Sequence, residues 1–195
     1  MTCEEYYGAC YPRLKETQRI LEATAERLRR AGDPNGEMQP IVYTCSRIKA
    51  PDSMKKKLKA RGLPVTLESA LGRVYDAVGL RIVCSFAGDV FALVEKLEND
   101  TEIEVIEKKD YLSHPKPNGY RSIHLCVRLR PTGAPAEIQV RTIAMDFWAT
   151  LEHQLKYKKS VGSEELIRGE LKRCADEIAS TDLSMQTIRD ILKEL

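Results

Sequence analysis

Between Val78 and Arg141, apolar and polar residues alternate with a period of two in four separate runs, the spacing expected of strands with one buried face. In the run 78–86, Val78, Leu80, Ile82 and Cys84 fall on one face and Gly79, Arg81, Val83 and Ser85 on the other. The runs 101–109, 123–129 and 136–141 repeat the pattern, with Ile103 and Val105, then Ile123, Leu125, Val127 and Leu129, then Ile138 and Val140 facing inward. Elsewhere the period is helical. Leu14, Leu21, Ala25 and Leu28 make one stripe over 11–30, ended by the turn residues Gly32-Asp33-Pro34-Asn35-Gly36. Pro51-Asp52-Ser53 opens a second helix that Gly62 stops. Further helices are expected over 89–98, 143–157, 164–179 and 183–195, with Ala144, Phe147, Trp148, Leu151 and Leu155 as the buried stripe of the 143–157 helix. The fold class is therefore α+β, a small mixed sheet flanked by helices with helical extensions at both ends. The pattern leaves strand order open.

The length, 195 residues, suits one domain over 1–195 with its core at about 40–160, and the apolar fraction of 43% is ordinary. A net charge of +2 excludes a general polyanion binder. The charge is uneven, because Arg47, Lys49, Lys55, Lys56, Lys57, Lys59 and Arg61 face Asp52 alone within one short stretch. That points to a discrete anion site and not to a DNA-coating surface. The six cysteines are scattered with no C-x-x-C pair, which argues against zinc and for reduced thiols in the cytoplasm. The N-terminus is acidic and polar, unlike a signal peptide, and no apolar run is long enough for a membrane span.

If the four strands share a sheet, the face opposite the core carries Arg81, His124, Glu137, Gln139 and Arg141. Wet sheet faces are common, but these side chains are short in reach and suited to a ligand. Asp76, just before the first run, and Glu137 are carboxylates able to hold a hard cation at a polyphosphate. Either alone would be a turn or solvated residue; the pair counts because of the basic and aromatic groups around it. Most lysines of 55–59 fit a solvated helix face, with Arg47 and Lys57 singled out. The helix start at Ser53 offers free N–H groups to phosphate. The loop Lys116-Pro117-Asn118-Gly119-Tyr120 is stiffened by proline, and its glycine permits close approach. Tyr120 is placed to stack on a base, while His124 reads equally as a phosphate ligand or a sheet histidine.

Five segments in order carry a resemblance. They are Ser46-Arg47-Ile48-Lys49 with Ser53 and Lys57, Asp76 through Arg81, Tyr111 through His124, Glu137 through Thr142, and Ala144 through His153. Together they resemble the synthetase domain of the RelA/SpoT family. The resemblance implies a nucleotidyltransferase-like sheet that transfers the β,γ-pyrophosphate of ATP to the ribose 3′-OH of GTP or GDP, with GMP a further acceptor. It implies that Arg47 and Arg81 sandwich adenine, and that Lys49, Ser53 and Lys57 hold the ATP phosphates. It further implies that Asp76 and Glu137 hold Mg²⁺ (Mn²⁺ being the alternative), with Glu137 also the base. Tyr120 would stack on guanine, with Lys116, Asn118, His124, Gln139 and Ala149 completing the acceptor site.

The 46 residues before Arg47 and the 37 after Lys158 are too few for the hydrolase and regulatory domains of the long members. The resemblance therefore implies a stand-alone small synthetase without hydrolase activity, homotetrameric through its terminal helices, with (p)ppGpp or RNA as allosteric effectors. Two other readings stay open: a toxin-like relative that pyrophosphorylates tRNA 3′ ends, and an inactive nucleotide sensor.

Overall fold

The computed structural model describes residues 1–32, 39–156 and 164–194. The expected turn at Asp33-Pro34-Asn35-Gly36, Tyr157 and Leu195 lie outside the described residues. The elements are α1 (Cys3–Tyr7), a 3-10 turn (Gly8–Cys10), α2 (Tyr11–Gly32), β1 (Ile41–Ile48), α3 (Pro51–Ala60), α4 (Leu67–Gly72), β2 (Val78–Cys84), α5 (Ala87–Glu98), β3 (Ile103–Asp110), β4 (Ile123–Leu129), β5 (Pro135–Thr142), α6 (Ile143–Lys156) and α7 (Glu164–Glu194). The strands form one sheet in the order β1-β2-β5-β4-β3, with β2 and β5 parallel and the other pairs antiparallel.

The alternation read from the sequence produces the core. Val78, Ile82, Ile123, Leu125, Val127, Ile138 and Val140 are all 0% exposed. They join one cluster with Leu14, Leu21 and Ala25 of α2 and Val90, Val94 and Leu97 of α5. Because side chains alternate, burying this set leaves its neighbours on the opposite face. The pairing registers line those neighbours into two rows across the sheet. Cys45, Arg81, Gln139, His124 and Lys109 are successive cross-strand partners, and so are Arg47, Gly79, Glu137, Cys126 and Glu107.

Three expectations are corrected. The sheet has a fifth strand, β1, in which only Ile41 is buried; α2 meets this edge strand partly through polar contacts, such as Gln18 with Ser46 at 2.7 Å, so it carries no apolar alternation to read. The helices expected over 164–179 and 183–195 are one continuous α7. Ser180, Thr181 and Asp182 look like a helix break. Instead the Ser184 and Thr181 hydroxyls donate to the carbonyls of Ser180 and Glu177, and Asp182 is buried against the Thr142 hydroxyl at 2.7 Å. Finally, the apolar stripe of α6 divides. Met145 and Trp148 are buried, whereas Ile143, Phe147, Leu151 and Leu155 are exposed. No described helix is long and apolar enough to cross a membrane.

Candidate active site

A cleft on the polar sheet face is lined by Cys45, Arg47, Lys49, Asp76, Gly79, Leu80, Arg81, Glu137 and Gln139. It encloses about 130 Å³. That is small beside the roughly 300 Å³ at which ligand pockets commonly begin. Its composition follows from the registers. Arg47 and Cys45 come from edge strand β1, Arg81 from β2, Glu137 and Gln139 from β5, and Gly79 leaves the groove floor open between Arg47 and Glu137.

At one end, Asp76 accepts from Lys49 Nζ at 2.8 Å and from Lys57 Nζ at 2.5 Å. Both bonds fall on Oδ2; the buried Oδ1 has no hydrogen-bond partner among the described residues. A buried carboxylate oxygen left unpartnered is costly unless something binds it. Lys57 reaches Asp76 because Met54 and Leu58 of α3 face the core, which turns Lys57 toward the sheet. Lys49 is held at its backbone, where its N–H donates to Ala77 at 2.9 Å and its carbonyl accepts from the Tyr7 hydroxyl at 2.8 Å.

At the other end, Glu137 Oε2 accepts from Gln139 Nε2 at 2.8 Å, and Oε1 lies 3.5 Å from His124 Nδ1. Burial raises the Glu137 pKa, but the His124 and Gln139 contacts and the Lys57 charge outweigh it, leaving the carboxyl at about 2. The Tyr120 hydroxyl and His124 Nε2 are 2.8 Å apart. Burial raises the Tyr120 pKa, which keeps the phenol protonated beside His124. Tyr111 packs edge-on to both rings, with centroids 5.3 Å from His124 and 6.1 Å from Tyr120, and Lys116 Nζ stands 4.5 Å from the Tyr111 centroid and 5.1 Å from that of Tyr120.

The structure therefore brings Arg47, Lys49, Asp76, Arg81, Glu137 and Gln139 into one groove. Lys57 joins through Asp76, and His124, Tyr120 and Lys116 through Glu137 and the aromatic cluster. Asn118 and Ala149 lie on a separate wall, where Asn118 Nδ2 donates to Glu152 Oε1 of α6 at 3.0 Å, one turn from Ala149. Ser53, exposed on the first turn of α3, is outside the groove lining.

One cluster escaped the sequence reading. Asp146 forms an ion pair with Arg141 at 2.9 Å and accepts from Arg81 at 3.3 Å and from the Tyr43 hydroxyl. Burial, then the bond to Asp146, pushes Tyr43 up to about 12. The signal was Arg141 on the same strand face as Glu137 and Gln139; its partner comes from the first turn of α6, which the sheet pattern does not place.

Among the described residues no group of three or more His, Cys, Asp or Glu side chains is set to hold a metal by itself. The donor set nonetheless fits Mg²⁺. That ion is commonly held by one or two carboxylates with substrate phosphates supplying further ligands. Asp76 Oδ1, buried and unpartnered beside the groove, offers such a position, and Glu137 lines the same groove.

Comparisons with known proteins find relatives over most of the chain. Residues 46–162 match the region found in RelA/SpoT proteins. GTP pyrophosphokinase YwaC of Bacillus subtilis is 40% identical over 143 residues, 70% of this chain and 68% of its own. The crystal structure of small alarmone synthetase 1 from Bacillus subtilis bound to its product pppGpp superposes with a TM-score of 0.82 at 30% identity, covering 93% of this chain and 95% of that one. The same synthetase bound to AMPCPP superposes at 0.76 and 28% identity, covering 94% and 95%.

Proposed function

The chain belongs to the RelA/SpoT family, and from that premise we infer a small alarmone synthetase, a GTP pyrophosphokinase that makes (p)ppGpp. The observation that carries the reading is the convergence of Asp76 and Glu137, far apart in sequence, on one groove between an arginine wall and the Tyr120 loop. We read residues 1–195 as one synthetase domain working in the cytoplasm.

In this reading Arg47 and Arg81 flank the adenine of ATP, and Asp146 fixes the Arg81 guanidinium in place. Lys49, Lys57 and Ser53 take the phosphates. Tyr120 stacks on the acceptor guanine, with Lys116, Asn118, His124, Gln139 and Ala149 around the nucleotide. Asp76 and Glu137 would hold Mg²⁺, whose chemistry is to shield the charge of the migrating pyrophosphate. Glu137 takes the proton of the acceptor 3′-OH as the new O–P bond forms to the β-phosphorus. The α,β-bridging bond breaks, and its electron pair leaves with AMP. Positioning and charge shielding supply most of the rate in such an in-line transfer.

A carboxylate held at about 2 is a good metal ligand and a weak base. The His124 contact is the largest of the influences that hold it low, so withdrawal of that contact would raise its basicity.

The exposed apolar residues of α6 and α7, among them Phe147, Leu155, Leu183, Ile188 and Leu192, support a homotetramer built through terminal helices. A sedimentation run showing monomer alone would remove that part. For the activity, the protein is incubated with labelled ATP and, separately, GTP, GDP, GMP or tRNA. Labelled guanosine product with stoichiometric AMP is expected. Label in tRNA alone would move the assignment to the tRNA-modifying relatives, and no transfer to any acceptor would mark a sensor.

A further inference from the structure

The matched family region ends at residue 162, before α7 begins. Yet α7 packs directly against the loop assigned to the acceptor. Gly119 is buried with φ at +90°, and a Cβ placed there would fall on the Ala175 methyl of α7, with the Lys172 backbone next nearest. Arg121 closes this contact. Its Nη1 donates to the Gly119 carbonyl at 3.1 Å and to the Ala175 carbonyl at 3.3 Å, and its Nη2 donates to Asp176 Oδ1 at 3.1 Å. One guanidinium therefore bridges the loop backbone, the helix backbone and a helix carboxylate, which its planar fork allows and a lysine cannot reproduce.

The same segment of α7 takes a second bond, from Trp148 Nε1 of α6 to the Leu171 carbonyl at 2.9 Å. Farther along, α7 is anchored on the body of the protein. Asp182 accepts from Thr142, Gln186 from the Gly88 N–H at 2.9 Å, and Arg189 donates to Asp89 at 2.6 Å with its guanidinium 4.3 Å from the Phe86 ring centroid. The loop side is closed on itself. Gly119 N–H donates to Lys116 at 2.8 Å and Lys116 N–H to Tyr120 at 3.1 Å. A displacement at Gly119 therefore moves Lys116 and Tyr120 with it.

We propose that Arg121 is a positioning residue that clamps the 116–120 loop to α7, so that α7 forms the rear wall of the acceptor site and sets acceptor affinity. The proposal rests on the assignment of this loop to the acceptor nucleotide. Arg121 acts through Gly119 on Tyr120 and Lys116. The ATP half of the groove, built on β1, β2 and α3, is independent of the clamp.

The test is steady-state kinetics with ATP and GDP varied separately, together with amide hydrogen exchange of the loop in the nucleotide-free protein. Arg121→Ala is expected to raise the GDP KM about tenfold, the effect of losing a bond worth about 1.4 kcal/mol, with the ATP KM within about twofold of wild type. Exchange at Gly119 and Tyr120 should accelerate. Arg121→Lys, which keeps the charge without the fork, should recover only part of the GDP affinity. Asp176→Ala removes one of the three contacts at a half-exposed site, so it stays folded and decides the matter if Arg121→Ala does not; a GDP KM raised about two- to threefold is expected. Equal rises in both KM values, unchanged loop exchange, or full recovery by Arg121→Lys would each overturn the clamp. If the wild type releases no AMP with any guanosine acceptor, the functional assignment fails by itself, and the exchange measurement still decides whether Arg121 holds the loop.

Discussion

Replacing Glu137 by glutamine removes one charge while keeping the side chain's shape, and the structure fixes the size and direction of the effect. In the folded chain burial raises the Glu137 pKa, but the His124 and Gln139 contacts with the Lys57 charge bring it to about 2, against an ordinary 4.5. That difference corresponds to about 3 kcal/mol of folding free energy at neutral pH. The folded pKa is the lower one, so the unfolded chain binds this proton more readily. The stabilisation is therefore complete above about pH 4.5 and is lost as pH falls toward about 2. Glutamine has no such dependence. Without nucleotide or divalent cation, wild type should melt about 6–12 °C above Glu137→Gln near pH 7, at about 2–4 °C per kcal/mol for a chain of this size. The gap should close through the acid range. Turnover of the variant should fall by at least about 10²-fold, the lower end for loss of a general base. Paired thermal melts over a pH series measure the stability term, and AMP release measures the chemistry. A gap that does not change with pH would refute the claim that neighbouring groups hold this carboxylate ionised, and near-wild-type turnover would refute its place in the reaction.

Asp76→Asn leaves Lys49 and Lys57 facing each other without a counter-charge, so it should cost about 2–3 kcal/mol in a denaturant titration and abolish turnover; adding Lys57→Met should restore part of the stability but not the activity. Tyr120→Ala should raise the acceptor KM about tenfold or more and leave the ATP KM within about twofold, whereas Tyr120→Phe, which keeps the stacking face, should retain most acceptor affinity. Ile138→Ala, at a fully buried position on β5, should cost about 2–5 kcal/mol by chemical denaturation. Chelation of divalent cations should stop AMP release, since Asp76 and Glu137 would hold the ion against the substrate phosphates.

The primary sequence by itself determined the repeating parts. β2, β4, β5, α2 and α5 follow from periodicity, because a strand or helix with one buried face writes its period into the order of residues. The polar sheet face came with them, since burying Leu80, Ile82, Ile138 and Val140 forces Arg81, Glu137 and Gln139 to the other side. The motif blocks carried the family. What only the tertiary structure decided were the features with no local signature. Strand β1, an edge strand met by α2 partly through polar contacts, left no pattern. The run Ser180-Thr181-Asp182 held helical because Thr142 took the buried carboxylate, a partner 40 residues away. The parallel pairing of β2 with β5 set Gly79 beside Glu137 and so opened the groove. Asp146 met Arg81 and Arg141, and α7 met Gly119, through contacts between segments distant along the chain. Local order reports what a residue's own element buries; which foreign element covers it is settled only when the whole chain packs.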